Sequence, residues 1–191
     1  DTVANRGDKR ALGLTAIGAA THRPVPSRSG AQPGDVIYVT GTLGDALAGF
    51  ELIEAGFTDI GDLGAAYNRP EPRLAEGQAF APIVSAMMDI SDGLLLDAER
   101  MANASGMGFA IDISQIPLSQ TYQKQRGDGL DSRIQAASWG GDYELLFTLP
   151  LAVKLPIPAT LVGHVVSGAG LTLHNSGEPV DLPASLGYQH H

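Results

Sequence analysis

The sequence contains no cysteine. Disulfide bonds and thiolate metal sites are therefore excluded, but the absence of cysteine does not indicate a cellular compartment. Long apolar runs are also missing, since stretches such as 145–147 fall far short of the ~20 residues that a membrane-spanning helix needs. No signal peptide is visible. We therefore expect a cytoplasmic protein with no membrane partner.

Positive charge is scarce. Twelve Lys and Arg residues stand against 21 Asp and Glu residues, which gives a net charge of -9. This charge would repel a phosphate backbone, and no basic cluster interrupts it, so we expect no nucleic-acid partner. The carboxylate excess is compatible with divalent cations that carry phosphates.

Glycine and proline are plentiful, at 24 and 12 of 191 residues, which indicates many tight turns. The order of apolar patterns predicts an α+β fold, in which a mixed β-sheet packs with α-helices. The proline- and glycine-rich connection over 21–34 is the best candidate for a domain boundary. Strands are predicted over 12–20, 35–40, 86–90, 109–113, 143–149, 160–166 and 171–174, and helices over 42–55, 74–83, 94–104 and 134–137.

The segment 88–95 (MDISDGLL) is the most informative for chemistry. Asp89 and Asp92 flank Ser91 where a strand is predicted to end and a helix to begin. Carboxylate oxygens are the ligands that Mg²⁺ prefers, and a helix N-terminus favours a phosphate oxygen. The alternative from spacing alone is that Ser91 or Asp92 is only a helix N-cap.

A second polar segment, 139–148 (WGGDYELLFT), precedes and enters a predicted strand. Its two glycines permit close approach of the backbone to a ligand. Asp142 and Glu144 have the two-residue spacing that places side chains on one face of a strand, with Tyr143 and Leu145 on the other. The alternative is a surface strand whose carboxylates are solvated.

Two single residues complete the set of candidates. Arg28 lies in a loop rich in glycine and proline, where its guanidinium suits a bidentate phosphate contact, although it is equally suited to solvent. Tyr188, near the C-terminus, has the side chain to stack on a flat heteroaromatic ring. A chain end, however, is more often frayed.

These segments resemble, in the same order, the motifs of thiamine-monophosphate kinases. MDISDGLL with the following GFAIDISQIPLS resembles the central motif of that family, and DYELLFT resembles the next one. Asp1-Thr2 resembles the end of the family's Gly-Gly-Asp-Thr sequence, SRSGAQPGDVIYVTGTLGDALAGF its linker and first strand-helix unit, RPEPRL its proline loop and GYQHH its terminal aromatic signature. The family belongs to the aminoimidazole-ribonucleotide-synthetase superfamily, whose members use ATP and have two domains.

The resemblance implies phosphoryl transfer from ATP to thiamine monophosphate, with Mg²⁺ as the metal and ATP as co-substrate. Asp1, Asp89 and Asp92 would be Mg²⁺ ligands, the latter two at the catalytic centre. Arg28 would contact ATP and Ser91 would touch the nucleotide.

Substrate contacts are implied in the same way. Tyr188 would pack on the thiamine moiety. The family has an acidic residue that contacts substrate just before its Asp-Tyr-Glu, but this sequence has Gly141 there. Asp142, next to it, is expected to substitute in part.

The resemblance also implies a division of the chain. Residues 1–30 would be a remnant of an N-terminal ATP- and Mg²⁺-binding domain with its linker, and residues 31–191 a C-terminal α+β domain. In the family the N-terminal domain supplies further aspartates and the dimer interface, so we expect a homodimer at full length and little activity from this chain alone. Two alternatives remain: another ATP-using member of the superfamily, or a non-catalytic binding or assembly module.

Overall fold

The computed structural model describes residue 15 and residues 17–189. Residues 15 and 17–20 have no regular secondary structure, so the strand predicted over 12–20 is wrong at these positions. The rest of that prediction lies outside the described residues, as does Asp1. The other predicted strands and helices are all present. Their ends differ by a few residues, most at the helix predicted over 134–137, which spans Leu130–Ser138.

The described residues form seven strands, six α-helices and one 3₁₀ turn. The strands are β1 (Asp35–Val39), β2 (Ala86–Ile90), β3 (Gly108–Asp112), β4 (Glu144–Pro150), β5 (Thr160–Val166), β6 (Gly170–Asn175) and β7 (Glu178–Val180). The helices are α1 (Asp45–Glu54), α2 (Gly61–Asn68), α3 (Leu74–Phe80), α4 (Leu94–Ser105), α5 (Gln120–Arg126) and α6 (Leu130–Ser138), and the 3₁₀ turn is Ile113–Gln115.

The sequence did not predict α2, α5 or β7. Helix α2 contains two glycines, and α5 buries only Tyr122, so neither shows an apolar stripe that could be read from the sequence. Strand β7 has three residues, one of them proline. Contacts from the rest of the fold therefore decide these elements.

All seven described strands belong to one sheet, in the order β2-β4-β1-β5-β3-β6-β7. Strands β3 and β6 pair in parallel, and every other pairing is antiparallel. The sheet is therefore mixed, which confirms the predicted α+β fold. In the β2–β4 pair, Asp89 lies opposite Leu145 and Ile90 opposite Glu144. The end of the MDISDGLL strand thus lies beside the start of the DYELLFT strand.

Helix α4 is anchored to the main apolar core. Each buried leucine or methionine side chain contributes about 1.5–3 kcal/mol relative to an exposed one, and α4 buries several. Gly106 ends the helix with a left-handed φ of 66°, as the sequence predicted. The N-terminus of α4 is therefore held firmly at the end of β2. The fully buried apolar residues of α4 are Leu94, Leu95, Ala98, Met101 and Ala102.

A smaller apolar cluster includes residues of β1, α3 and β4. Phe80 of α3 stacks on Phe147 of β4 with ring centroids 4.3 Å apart, and both are fully buried. Val36 and Leu149 complete the buried part of the cluster. This packing supports β4, the strand between β1 and β2. Within the part of the chain that the structure describes, no helix is long and apolar enough to cross a membrane.

Candidate functional site

A cleft of about 580 Å³ opens where β2 ends and α4 begins. Three chain segments line it: 91–92 after β2, 138–143 before β4, and 185–188 near the end of the described chain. We call it the aromatic cleft. It brings together four predicted site residues, Ser91, Asp92, Gly141 and Tyr188.

Backbone hydrogen bonds join the three segments. These bonds fix the spacing of the segments without using any side chain, so the cleft walls depend on backbone shape. They run from the N–H of Gly141 to the carbonyl of Ser91 (3.0 Å), from the N–H of Tyr143 to the carbonyl of Ile90 (3.0 Å), and from the N–H of Tyr188 to the carbonyl of Asp92 (2.9 Å).

Glycines allow this close approach. A Cβ atom at Gly140 would overlap the carbonyl oxygen of Ser91, and one at Gly187 would overlap that of Asp92. Gly141 has a φ of 96°, which L side chains rarely adopt. The paired glycines of 139–148 therefore serve the contact between chain segments, as well as leaving the cleft open.

The turn before α4 is not capped in the way that the alternative prediction required. Gly93 is the N-cap residue, and no side chain caps it, so neither Ser91 nor Asp92 is a conventional N-cap. Asp97, fully buried in the first turn of α4, instead reaches back. Its Oδ2 accepts hydrogen bonds from the N–H groups of Ser91 and Asp92, each at 3.0 Å. Burial raises the pKa of Asp97, against the lowering effect of the Asp92 N–H and of Arg100.

Arg100 brings a positive charge to this turn. Its Nη1 donates to Asp92 Oδ2 at 2.5 Å and to Asp97 Oδ1 at 2.8 Å. The hydrogen bond to Asp92 is the main reason that the pKa of Arg100 is raised. Two carboxylates thus share one guanidinium.

Exposed aromatic side chains form the walls of the cleft. Trp139, Tyr143 and Tyr188 are 36%, 46% and 60% exposed. Trp139 also stacks on Phe50 of α1, with ring centroids 5.4 Å apart. Tyr143 has a φ of 53°. Positive φ values are uncommon for residues other than glycine and occur more often at functional sites. The sequence analysis assigned no role in the cleft to Trp139 or Tyr143. Two aromatic residues on either side of a Gly-Gly pair were nevertheless a sign that both rings could border a ligand site.

Asp142 faces away from the aromatic cleft. Its Oδ2 accepts from the N–H of Gly44 at 2.8 Å and its Oδ1 from the N–H of Ala46 at 3.0 Å, at the start of α1. Burial raises its pKa to about 7, even though these two hydrogen bonds act to lower it. The carboxyl lines a separate pocket of about 260 Å³. This geometry gives no support to Asp142 as a substitute for the acidic substrate contact that Gly141 lacks.

Glu144 is also engaged inside the protein. It is 4% exposed and accepts hydrogen bonds from the Thr40 hydroxyl at 2.5 Å and from two guanidinium nitrogens of Arg73 at 2.6 and 2.7 Å. Bonding to Glu144 raises the pKa of Arg73. The alternative prediction of two solvated carboxylates on a surface strand is therefore wrong.

Arg28 lies at the far end of α4. Its carbonyl accepts from the Ser105 hydroxyl at 3.5 Å, and Ser105 is the last residue of that helix. A helix of 12 residues is about 18 Å long, so the structure does not bring Arg28 to Asp92. Its side chain is exposed, and its ATP contact stays a prediction.

The predicted Mg²⁺ ligands are only partly assembled. In the described part of the chain, no group of three or more His, Asp or Glu residues is placed to hold a metal ion. Asp89 is exposed at the end of β2, Asp92 lines the cleft, and Asp1 lies outside the described residues. An all-oxygen set of two carboxylates fits Mg²⁺, which usually keeps several waters and substrate oxygens.

Residues 32–148 match the family model of AIR synthase related protein, C-terminal domain. The chain therefore belongs to this family. Its curated relatives include several thiamine-monophosphate kinases. That of Salmonella typhimurium is 39% identical over 178 residues, covering 85% of this chain and 54% of the relative. That of Escherichia coli K12 is 36% identical, covering 86% and 54%. The chain thus spans about half the length of the curated relatives it matches.

Solved structures agree with this assignment. AaThiL complexed with AMPPCP and TMP has a TM-score of 0.73 and 32% identity, covering 86% of this chain and 54% of that one. The thiamine-monophosphate kinase of Stenotrophomonas maltophilia has a TM-score of 0.71 and 32% identity, covering 81% and 54%. Escherichia coli HypE, at 22% identity and a TM-score of 0.67, shares the fold. The family resemblance in the sequence is therefore confirmed.

Proposed function

We propose that this chain provides the C-terminal domain of an ATP-dependent thiamine-monophosphate kinase. The reaction transfers the γ-phosphoryl group of ATP to the phosphate of thiamine monophosphate and yields thiamine diphosphate and ADP. The observation that carries the proposal is the aromatic cleft, which joins an acidic turn at a helix N-terminus to exposed aromatic rings. AaThiL, 32% identical to this chain, was solved with AMPPCP and TMP.

The two sides of the cleft suit the two parts of such a substrate. Tyr188, with Trp139 and Tyr143 nearby, offers faces on which a flat heteroaromatic ring can stack. Ser91 and Asp92 lie at the N-terminus of α4, whose dipole favours a phosphate group. In this proposal the thiamine ring packs against the aromatic side chains and the phosphate lies at the turn.

The chemistry requires little covalent participation by the protein. The acceptor is already an anionic phosphate oxygen, so no general base is needed, and the protein must hold two anions together. Asp89 and Asp92 would hold Mg²⁺, with Asp1 as a further ligand. Bound Mg²⁺ would neutralise charge on the transferring phosphates. Ser91 would contact the nucleotide, and Arg28 would reach ATP from the other end of α4.

Several parts of the proposal extend beyond the described residues. The division into 1–30 and 31–191, the homodimer at full length and the cytoplasmic location all remain predictions. Because the chain spans about half of its relatives, we expect the 191-residue chain alone to show little turnover.

The test joins this chain to the N-terminal half of the Salmonella typhimurium relative. Calorimetry with AMPPCP and Mg²⁺ should then detect binding of thiamine monophosphate, and ATP should be converted to ADP with formation of thiamine diphosphate. The relative with its own two halves joined at the same point is the matched control. A folded hybrid that binds neither ligand, beside an active control, would refute the proposal and favour the non-catalytic module.

A further inference from the structure

Asp97 is a buried carboxyl to which the proposed reaction gives no role. It lies in the first turn of α4, is fully buried, and has both oxygens occupied. Oδ2 accepts from two consecutive backbone N–H groups, those of Ser91 and Asp92, and Oδ1 accepts from Arg100. Burying a carboxylate costs free energy unless hydrogen-bond donors surround it, and the Asp97 carboxylate accepts three hydrogen bonds.

The bonds to Asp97 fix the shape of the turn. Two successive N–H groups that converge on one oxygen force the backbone of Ser91 and Asp92 to curl towards the helix. The carbonyls of the same two residues then point outward and accept from Gly141 and Tyr188. The three segments of the aromatic cleft are therefore aligned through a turn that Asp97 holds from below.

Asp97 also influences Asp92 through Arg100. The guanidinium bonds both carboxylates, so the position of the Asp92 side chain depends on a cation that Asp97 anchors. Asp97 is not among the residues that line the cleft. Its influence on a bound cation would pass through Asp92.

We propose that Asp97 is a positioning residue, whose buried carboxylate holds the Ser91–Asp92 turn in the shape that lets Asp92 bind a divalent cation. The inference rests on the proposed function, since that function gives Asp92 a cation to bind. Residues that orient a metal ligand typically change metal affinity by about 10- to 100-fold when they are replaced.

Asp97→Asn is the informative substitution. Asparagine has one acceptor oxygen and an amino group, so it must turn a donor towards either the backbone N–H groups or Arg100. The turn then loses part of its support at nearly constant volume. Glu99→Gln is the matched control, because Glu99 lies on the same helix and is partly exposed, and this substitution removes the same charge.

The experiment uses the isotope-labelled 191-residue chain and nuclear magnetic resonance. A dispersed spectrum reports folding, and amide hydrogen exchange reports protection at Ser91 and Asp92. Mn²⁺, added in place of Mg²⁺, broadens the signals of amides near its site. In Asp97→Asn we expect exchange at both amides to be at least about tenfold faster, and the Mn²⁺ concentration for half-broadening to rise about 10- to 100-fold. Glu99→Gln should match the wild type.

A folded Asp97→Asn chain with wild-type exchange at Ser91 and Asp92, or with an unchanged Mn²⁺ midpoint, would overturn the proposal. If that variant does not fold, Arg100→Gln decides, since it leaves both backbone bonds to Asp97 intact. Retained protection in Arg100→Gln supports Asp97 as the group that holds the turn, and lost protection overturns it. Failure of Mn²⁺ to broaden any wild-type signal would overturn the part of the proposal that gives Asp92 a cation in this chain, while the proposed function is judged separately by the hybrid with the N-terminal half. Amide exchange judges the role of Asp97 in the turn without a metal.

Discussion

Replacing Asp142 by Asn should change how the stability of this chain depends on pH. The folded-state pKa of Asp142 is raised by burial to about 7, whereas an unfolded aspartate titrates near 3.9. Between about pH 4 and pH 7 the folded state therefore keeps a proton that the unfolded state has released. Because the unfolded state binds fewer protons there, the free energy of unfolding falls as pH rises through this window.

The size of the effect follows from the difference in pKa. One pKa unit corresponds to about 1.4 kcal/mol, so Asp142 lowers the free energy of unfolding by up to about 4 kcal/mol between these pH values. Asparagine cannot ionise and abolishes this slope. It keeps one acceptor for the N–H groups of Gly44 and Ala46, which costs about 1–3 kcal/mol at every pH. The variant should be less stable than the wild type near pH 4, where the wild type still holds most of this stabilisation, and more stable than the wild type near pH 8, where the wild type has lost all of it.

Urea unfolding of the 191-residue chain, followed by circular dichroism at several pH values, measures this difference. Asp181→Asn is the control, because Asp181 is exposed after β7 and loses the same charge without a buried environment. The reasoning is refuted if the stability curves of the wild type and Asp142→Asn run parallel from about pH 4 to pH 8.

Three further substitutions test the site and the core. In the hybrid of this chain with the N-terminal half of the Salmonella typhimurium relative, Asp89→Asn should lower kcat by at least about 100-fold with the fold intact, since it removes a carboxylate from the proposed Mg²⁺ site. Normal turnover of this variant would show that Asp89 does not belong to that site. Tyr188→Ala should weaken thiamine monophosphate binding about three- to tenfold in calorimetry and leave AMPPCP unchanged, and equal losses would contradict stacking. Phe80→Ala should lower the free energy of unfolding by about 3–5 kcal/mol in urea titration, while Phe57→Ala, at an exposed position, should change it by less than about 0.5 kcal/mol; similar losses would rule out the Phe80–Phe147 stack as the cause.

Local pattern was sufficient for the elements with strong periodicity. Strand β2 and helix α4 were predicted close to their observed bounds, because an apolar strand, a Ser-Asp-Gly turn and an amphipathic helix each have short-range signatures. Helices α2 and α5 were not predicted, because their sequences show no clear apolar periodicity and tertiary contacts stabilise them. The chemistry of their segments made Ser91, Asp92 and Tyr188 candidates, the family resemblance gave them their expected roles, and the structure brings the three together.

Side-chain direction could not be read from the sequence at the second motif. The sequence predicted that Asp142 and Glu144 lie on one face of a strand. Both line the same pocket, but only Glu144 belongs to β4, which begins at that residue. Asp142 lies before the strand, where Gly141 and Tyr143 have positive φ values. This backbone turns the Asp142 carboxyl towards the start of α1, because local dihedral angles and not residue spacing set its direction.

The sequence by itself determined the α+β class, the family and the acidic turn that begins α4, since each follows from short motifs and from their order along the chain. Only the tertiary structure decided which candidates share one site. It joined Tyr188 to Asp92 through a backbone hydrogen bond across 96 positions and left Arg28 at the opposite end of α4. It also gave Asp97 its place beneath the turn. Such relations depend on how strands pair and how helices pack, and contacts between distant parts of the chain have no signature in local sequence.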